Sequence, residues 1–258
     1  MLDEIVERTK ERVDLAKSII SLDDLKKEVS TMEISEDYPF KKALKEEPIA
    51  IIAEVKKASP SKGLIAEDFD YVAIAKEYED AGVSAISVLT EPYFFKGDDD
   101  YLREISQNVS VPLLRKDFVV DEYMIWEAKL LGASAILLIV SILDRVQLKK
   151  YLDLAHDLGL SAIVETHDGD EIRTALTMGA EIIGVNNRDL TDFSVDIENS
   201  INLRRCVSDD IVFISESGIK TKEDVTRLKE NDVDAVLIGE TLMKSNDKKS
   251  LIREFKYG

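Results

Sequence analysis

The chain is short of several things, and each shortage excludes something. Cysteine occurs once in 258 residues, at Cys206. No disulfide can close within the chain, and a reducing compartment fits. In "INLRRCV" that cysteine is expected to pack a helix. Histidine occurs twice. There is no H-E-x-x-H, no C-x-x-C and no clustered His/Asp set, so no bound metal is expected. No G-x-G-x-x-G or Walker sequence is present either. Long apolar runs are also missing. The most apolar segment, "GASAILLIVSIL", is too short to span a bilayer. The first residues, "MLDEIVERTKERVDLAK", alternate charge with apolar residues and lack the apolar core of a secretion signal. Positive charge is scarce: 34 Lys and Arg stand against 52 Asp and Glu, a net charge of −18. That balance argues against nucleic acid or an anionic membrane as a partner. It leaves room for a local positive patch and a small ligand. The expectation is a cytoplasmic protein.

What the chain does have is rhythm. Short apolar runs recur: "IAIIAEV", "AISVLT", "VPLLRKDF", "AILLIVSI", "SAIVET", "IIGVNNRD", "IVFISES" and "AVLIGE". Continuous Val/Ile/Leu-rich runs suit strands buried on both faces, as in a parallel sheet. Their polar ends fall at Lys56, Thr90, Lys116, Val140, Glu165, Arg188, Ser217 and Gly239, spaced 22 to 34 residues apart. Between them, "YVAIAKEYEDAG", "YMIWEAKLLGA", "LKKYLDLAHDLG" and "EIRTALTMGA" place apolar residues three and four apart, as helices do. Gly82, Gly132, Gly159 and Gly179 stand where helices would stop. "TKEDVTRL" opens like a capping box.

Strand–helix units at this period predict an α/β protein with one (β/α)8 barrel. A doubly wound open sheet is the rival, but it wants a Gly-rich loop after the first strand. "KKASPSKG" has one glycine. The barrel is expected over 48–258, with a helical extension over 1–47, in one domain overall. Leu2, Ile5, Val6, Val13, Ala16 and Ile20 share a face of that extension. It could plug the barrel bottom or lie beside the site as a lid.

Chemistry in such a barrel sits at the carboxyl ends of the strands. Here those ends are charged. The first run ends in Glu54 and Lys56, the third in Lys116, the fifth in Glu165. The sixth ends in Asn186 and Arg188, the seventh in Glu216 and Ser217. Residues two apart on a strand share a face, so these groups converge on one mouth if their faces point inward. One such residue would be a solvated strand end; five strands in phase point to a site. Lys56, Lys116 and Arg188 prepare it for an anion. "SESGI" and "LIGETL" each bring a glycine just after a strand, where barrels of this kind cradle phosphate. His156 reads as a surface residue in mid-helix. His167 shares the parity of Glu165 and is a candidate for the rim.

These stretches resemble a known family. "IIAEVKKASPSKG", "LTEPYFFKG", "PLLRKDFVVDEY", "GASAILLIVSIL", "VETH", "IGVNNRDL", "SESGI" and "IGETLM" are similar, in order and spacing, to motifs of the indole-3-glycerol phosphate synthases of tryptophan biosynthesis. The likeness runs from about Pro48 to Met243. It implies a cofactor-free carboxy-lyase. That lyase converts 1-(2-carboxyphenylamino)-1-deoxyribulose 5-phosphate, an anionic phosphosugar, into indole-3-glycerol phosphate, carbon dioxide and water. It implies Lys116 as general acid for ring closure, with a pKa expected to be lowered by neighbouring cations. Lys56 would contact the substrate carboxylate and is a second candidate acid. Glu54 and Glu165 would be the acid/base carboxylates of the later steps; which of them protonates the leaving hydroxyl stays open. Asn186, Arg188 and Glu216 would position substrate, with Phe95 and Phe118 as walls around its ring. Ser59, Ser217, Gly218, Gly239 and Glu240 would bind phosphate, and "SPSKG" would be a mobile loop over the site. A monomer is expected, with a weak homodimer as the alternative. Gly239-Glu240 departs from the Gly-Ser of some members. An early cysteine base, as in phosphoribosylanthranilate isomerase, is missing. A catalytically silent paralogue would be expected to lack Glu54, Lys116 or Glu165, and all are present.

Overall fold

Each apolar run folds as a strand, and the strands close on themselves. In a computed structural model, which describes residues 1–46, 48–189 and 194–257, the barrel strands are β1 (Ala50–Val55), β2 (Ala85–Leu89), β3 (Leu113–Lys116), β4 (Ala135–Ile139), β5 (Ser161–Thr166), β6 (Ile182–Asn186), β7 (Val212–Glu216) and β8 (Ala235–Ile238). All neighbours pair in parallel, and β1 pairs with both β2 and β8. Closure removes both sheet edges and rules out the doubly wound alternative.

Parity decides what each strand buries. The odd residues Ile51, Ala53 and Val55 of β1 join a large apolar layer against the surrounding helices. The even residues Ala50 and Ile52 join a separate interior cluster with Ala85, Leu114, Ala135, Ile163, Val212 and Ala235. Period-two alternation then places Glu54, Lys116, Glu165, Asn186 and Glu216 on the interior face as well. The apolar interior cluster ends where these polar groups begin.

The helices α4 (Tyr71–Ala81), α5 (Asp99–Ser106), α6 (Glu122–Leu130), α7 (Arg145–Asp157), α8 (Gly169–Thr177), α9 (Glu198–Arg204) and α10 (Lys222–Lys229) follow successive strands. Short α11 (Glu240–Lys244) and terminal α12 (Lys248–Tyr257) follow β8. Thr221 and Asp224 form the expected capping box, and the four glycines named as helix stops take φ between 68° and 94°, the left-handed geometry of a C-terminal cap. The fourth run ends one residue early: Val140 begins a 3₁₀ turn, Val140–Ile142, beyond β4. Cys206 does not pack a helix. It lies past the end of α9 and is exposed.

The N-terminal extension divides its labour. It forms α1 (Leu2–Ile19), α2 (Leu22–Val29) and α3 (Pro39–Lys45). Phe40 and Leu44 of α3 are fully buried in the interior cluster and plug the barrel bottom. α1 lies at the other end, where Met1, Leu2 and Ile5 line the cavity described below. The face of Leu2 to Val13 thus lies at the mouth and not at the bottom, where α3 supplies the plug instead. Ile5 and Val13 are buried, with Thr9 between them. Ile20 is not part of that face: it follows the helix and is 42% exposed. Arg12 anchors α1 by a two-pronged bond to Asp117, at 2.8 and 2.9 Å, and by a bond to the Thr90 carbonyl at 3.2 Å. Among the described residues, no helix is long and apolar enough to cross a membrane.

Candidate active site

At the carboxyl ends of the strands lies a cavity of about 840 Å³, within the range of small-molecule sites. Every residue that the family resemblance pointed to lines it: Glu54, Lys56, Ser59, Phe95, Lys116, Phe118, Glu165, Asn186, Arg188, Glu216, Ser217, Gly218, Gly239 and Glu240. Its floor is apolar, from Leu137, Ile139 and Leu237 of the interior face.

One cation spans the mouth. Lys116 ends β3 and Glu216 ends β7, on opposite sides of the barrel, yet the Lys116 ammonium donates to Glu216 Oε2. The same ammonium lies 3.5 Å from Glu165 Oε2. This reverses the expectation for its pKa. Burial acts to lower it, but Glu216, Glu165 and Glu54 outweigh burial and hold the ammonium above its ordinary value. The neighbours are carboxylates rather than cations because the strand order brings three glutamates to face one lysine. Glu216 also titrates above its ordinary value, through burial first and then through Glu165 and Glu54, against the pull of Lys116.

A second pair sits beside the first. Lys56 Nζ lies 2.6 Å from Glu54 Oε1. The positive patch anticipated at the mouth is thus matched by acids. Asn186 donates its side-chain amide to Glu165 Oε1 at 3.2 Å and accepts the Arg188 backbone N–H at 3.1 Å. Phe95 and Phe118 face each other with ring centroids 6.0 Å apart.

The opposite end is built from the loops after β7 and β8. Ser217 and Gly218 both take left-handed backbone, φ 69° and 86°. For a serine that conformation needs support, and Asn187 supplies it. Its amide donates to the Ser217 carbonyl at 3.0 Å and to Ser215 Oγ at 2.9 Å, while its oxygen accepts from the Ser200 hydroxyl and N–H. The Thr241 hydroxyl ties the β8 loop to the Ile219 carbonyl at 2.7 Å. Over this end lies the segment after β1, a small hairpin pairing Ala58–Ser59 with Gly63–Leu64. Its Lys62 reaches to 3.8 Å from Glu240, which also pairs with Lys244 at 2.6 Å.

A model of the family described as indole-3-glycerol phosphate synthase matches residues 2–255. The chain belongs to the indole-3-glycerol phosphate synthase family. A curated relative of that name from Lacticaseibacillus casei is 55% identical over 256 residues, covering 99% of this chain and 98% of its own. Another, from Ruminiclostridium cellulolyticum, is 51% identical over 247 residues, covering 96% and 95%. Among solved structures, 3-hexulose-6-phosphate synthase from Salmonella typhimurium has a TM-score of 0.65 at 16% identity, covering 81% of this chain and 97% of its own. That likeness concerns the barrel alone.

In this synthase, some residues that shape the site carried no obvious sign in the sequence. Gly184 of β6 is one: a Cβ there would strike Glu216 Oε1 and come within 2.9 Å of Ile163, so the glycine makes room for a carboxylate. Glu91 is another. It is fully buried, and its carboxylate accepts the N–H groups of Tyr93, Phe94 and Phe95 at 2.7–3.0 Å. It thereby fixes the loop that carries Phe95. An acidic residue just after an apolar run was the available signal. The α1 residues of the cavity gave none beyond their amphipathic spacing. His156 is exposed and stacks on Tyr38 at 4.9 Å, away from the cavity. His167 stands behind Glu165 rather than on the rim.

Proposed function

We propose that Lys116, Glu165, Glu54, Lys56, Asn186 and Glu216 perform the chemistry of this carboxy-lyase. Arg188, Phe95, Phe118 and Ser217 bind its substrate, and Ser59, Ser217, Gly218, Gly239 and Glu240 hold its phosphate. The reaction closes the ring of 1-(2-carboxyphenylamino)-1-deoxyribulose 5-phosphate, a step of tryptophan biosynthesis. It then loses carbon dioxide and water.

The observation that carries this reading is Lys116, one buried ammonium reaching across the mouth between two glutamates. As the aromatic carbon attacks the ketone, negative charge grows on the ketone oxygen. A positioned ammonium answers that charge and then gives up its proton. A raised pKa does not bar the transfer, because an alkoxide is more basic still. Phe95 and Phe118 offer flat apolar contact to the anthranilate ring, and Lys56 lies where a carboxylate would find a counter-charge. Once carbon dioxide has left, Glu54 and Glu165 are placed to protonate the departing hydroxyl and to take the ring N–H proton. The left-handed Ser217–Gly218 turn and the glycine after β8 bring backbone close to a phosphate.

A monomer is our reading of the working unit, with a weak homodimer as the alternative. The plug α3 and the mouth helix α1 make the extension part of the same folding unit as the barrel. The unpaired thiol of Cys206 fits a reducing, cytoplasmic setting.

The test is indole fluorescence on mixing protein with the anilino-deoxyribulose phosphate, beside a Lys116→Ala variant. Signal growth in the parent and none in a folded variant is the expected result. A folded parent that binds the substrate without product would sink the reading and favour a silent binding protein.

A further inference from the structure

The proposed mechanism leaves unused a titratable side chain that lies against Glu165. His167 follows β5 by one residue. Its ring is half-buried and lies between two glutamates, with Nδ1 3.2 Å from Glu171 Oε2 and Nε2 3.8 Å from Glu165 Oε1. Glu171, in the first turn of α8, also accepts the His167 backbone N–H at 2.8 Å. Asn199 of α9 donates to the His167 carbonyl at 3.2 Å. Ring and backbone are thus held from two helices. The Nε2 atom is buried and has no hydrogen-bond partner among the described residues.

That geometry fixes the tautomer. An ionised Glu171 can only accept, so Nδ1 carries a hydrogen. Nε2 then faces Glu165 either as a lone pair or as an N–H. A lone pair opposed to a carboxylate repels; an N–H attracts. A proton on Nε2 therefore suits the pair.

We propose that His167 is a positioning residue for Glu165: turned by Glu171, its protonated imidazole faces the Glu165 carboxylate from behind the cavity and steadies it by charge. This rests on the reading of Glu165 as an acid/base group. The charged groups around the ring agree with it. They are Glu165 of β5, Glu171 of α8 and Glu216 of β7, with Lys116 of β3 beyond Glu165. Burial acts to lower the His167 pKa, but Glu171, Glu165 and Glu216 prevail and raise it.

The experiment is a set of kcat–pH and KM–pH profiles by indole fluorescence for the parent, His167→Ala, His167→Gln and Glu171→Gln, with Glu165→Gln as control. His167→Ala is expected to lower kcat roughly tenfold, short of the ~10² that a 1 Å misplacement can cost. KM should stay within about twofold. One ionisation of the parent's kcat profile, above the ordinary histidine value, should vanish. Glutamine at 167 restores an N–H but no titrating proton, so it should recover part of kcat and not the ionisation. Glu171→Gln should move that ionisation to lower pH. Should His167→Ala misfold, the glutamine variant and the Glu171 variant carry the test.

Parental kcat and profile in folded His167 variants would overturn the proposal. So would a loss of kcat and KM together with the ionisation retained. Failure of the underlying reading looks different: a Glu165→Gln variant with parental turnover would remove Glu165 itself from the chemistry.

Discussion

Along the interior of β1 the side chains run Ala50, Ile52, Glu54; along β7 they run Val212, Ile214, Glu216. The lower members pack with Phe40 and Leu44 of α3 in an apolar core. The upper ones meet Lys56 and Lys116 around a cavity of about 840 Å³. One face of one set of strands thus serves stability at the amino ends and chemistry at the carboxyl ends. The contrast is energetic. Phe40 loses water on burial and gains contacts, whereas Glu216 is 1% exposed with one carboxylate oxygen lacking a hydrogen-bond partner among the described residues. A buried, half-partnered carboxylate costs stability. It is tolerated because Lys116 faces it.

The upper end should break in function first. Lys116→Ala is expected to cut kcat by about 10²–10⁴, the usual worth of a positioned acid, while circular dichroism keeps the parental fold. The fold survives because Glu216 already titrates above its ordinary value through burial and takes up a proton when its partner goes. A kcat within about tenfold of the parent would remove Lys116 as the acid.

The lower end should break the other way. Phe40→Ala empties a fully buried site in the plug and should cost about 3–5 kcal/mol. A denaturant midpoint reads that loss, and kcat below the melting transition should match the parent. Loss of kcat without loss of stability would mean that the two ends are not separate.

α1 tests the boundary between them. Arg12 is its anchor on Asp117, which is fully buried. Removing one partner of a buried pair is costly. Thr90 and Arg115 still attend the carboxylate, so Arg12→Ala should cost about 2–3 kcal/mol. KM should rise while kcat holds, because α1 lines the cavity. The pH dependence has a definite sign. Burial pushes Asp117 up, but Arg12 and Arg115, with Thr90, hold it below its ordinary 3.8. Its contribution is present above that value and is lost as pH falls through the folded-state pKa. The stability gap between parent and variant should therefore narrow in acid, as equilibrium unfolding at several pH values would show.

The barrel was legible because period-two burial and regular spacing are local properties of a chain. Glu54, Lys116, Glu165, Asn186 and Glu216 could be assigned to one mouth by parity alone, before any contact was known. Which of them touch is a different matter. Lys116 meets Glu216 from across the barrel, and that depends on strand order and tilt, to which the spacing of residues in the chain is blind. The expected cationic surroundings of Lys116 failed for this reason. The extension was ambiguous for a related reason. The faces of α1 and α3 are each amphipathic, and only tertiary packing sends one to the mouth and the other to the plug. Gly184 was invisible because its partner, Glu216, lies on the next strand. Cys206 was misjudged because α9 ends at Arg204, short of it.

The smallest change that should separate the two ends is a single methyl group. Gly239 has φ of −112°, so alanine there is not asked to take the left-handed backbone that favours glycine. Its Cβ would strike Glu54 Oε1 and approach Lys56 Nζ to 2.8 Å. Those atoms are ends of side chains that can swing aside, so stability should change by no more than about 1 kcal/mol, with the reduced freedom of the unfolded chain acting in alanine's favour. The chemistry has less tolerance, because the displaced pair is the one proposed to meet the substrate carboxylate and a departing proton. A shift of that size should lower kcat/KM about tenfold, with the melting temperature nearly unchanged. Parental kcat/KM in Gly239→Ala would mean that Glu54 and Lys56 can reseat without loss, and that the close fit at this end is packing rather than catalysis.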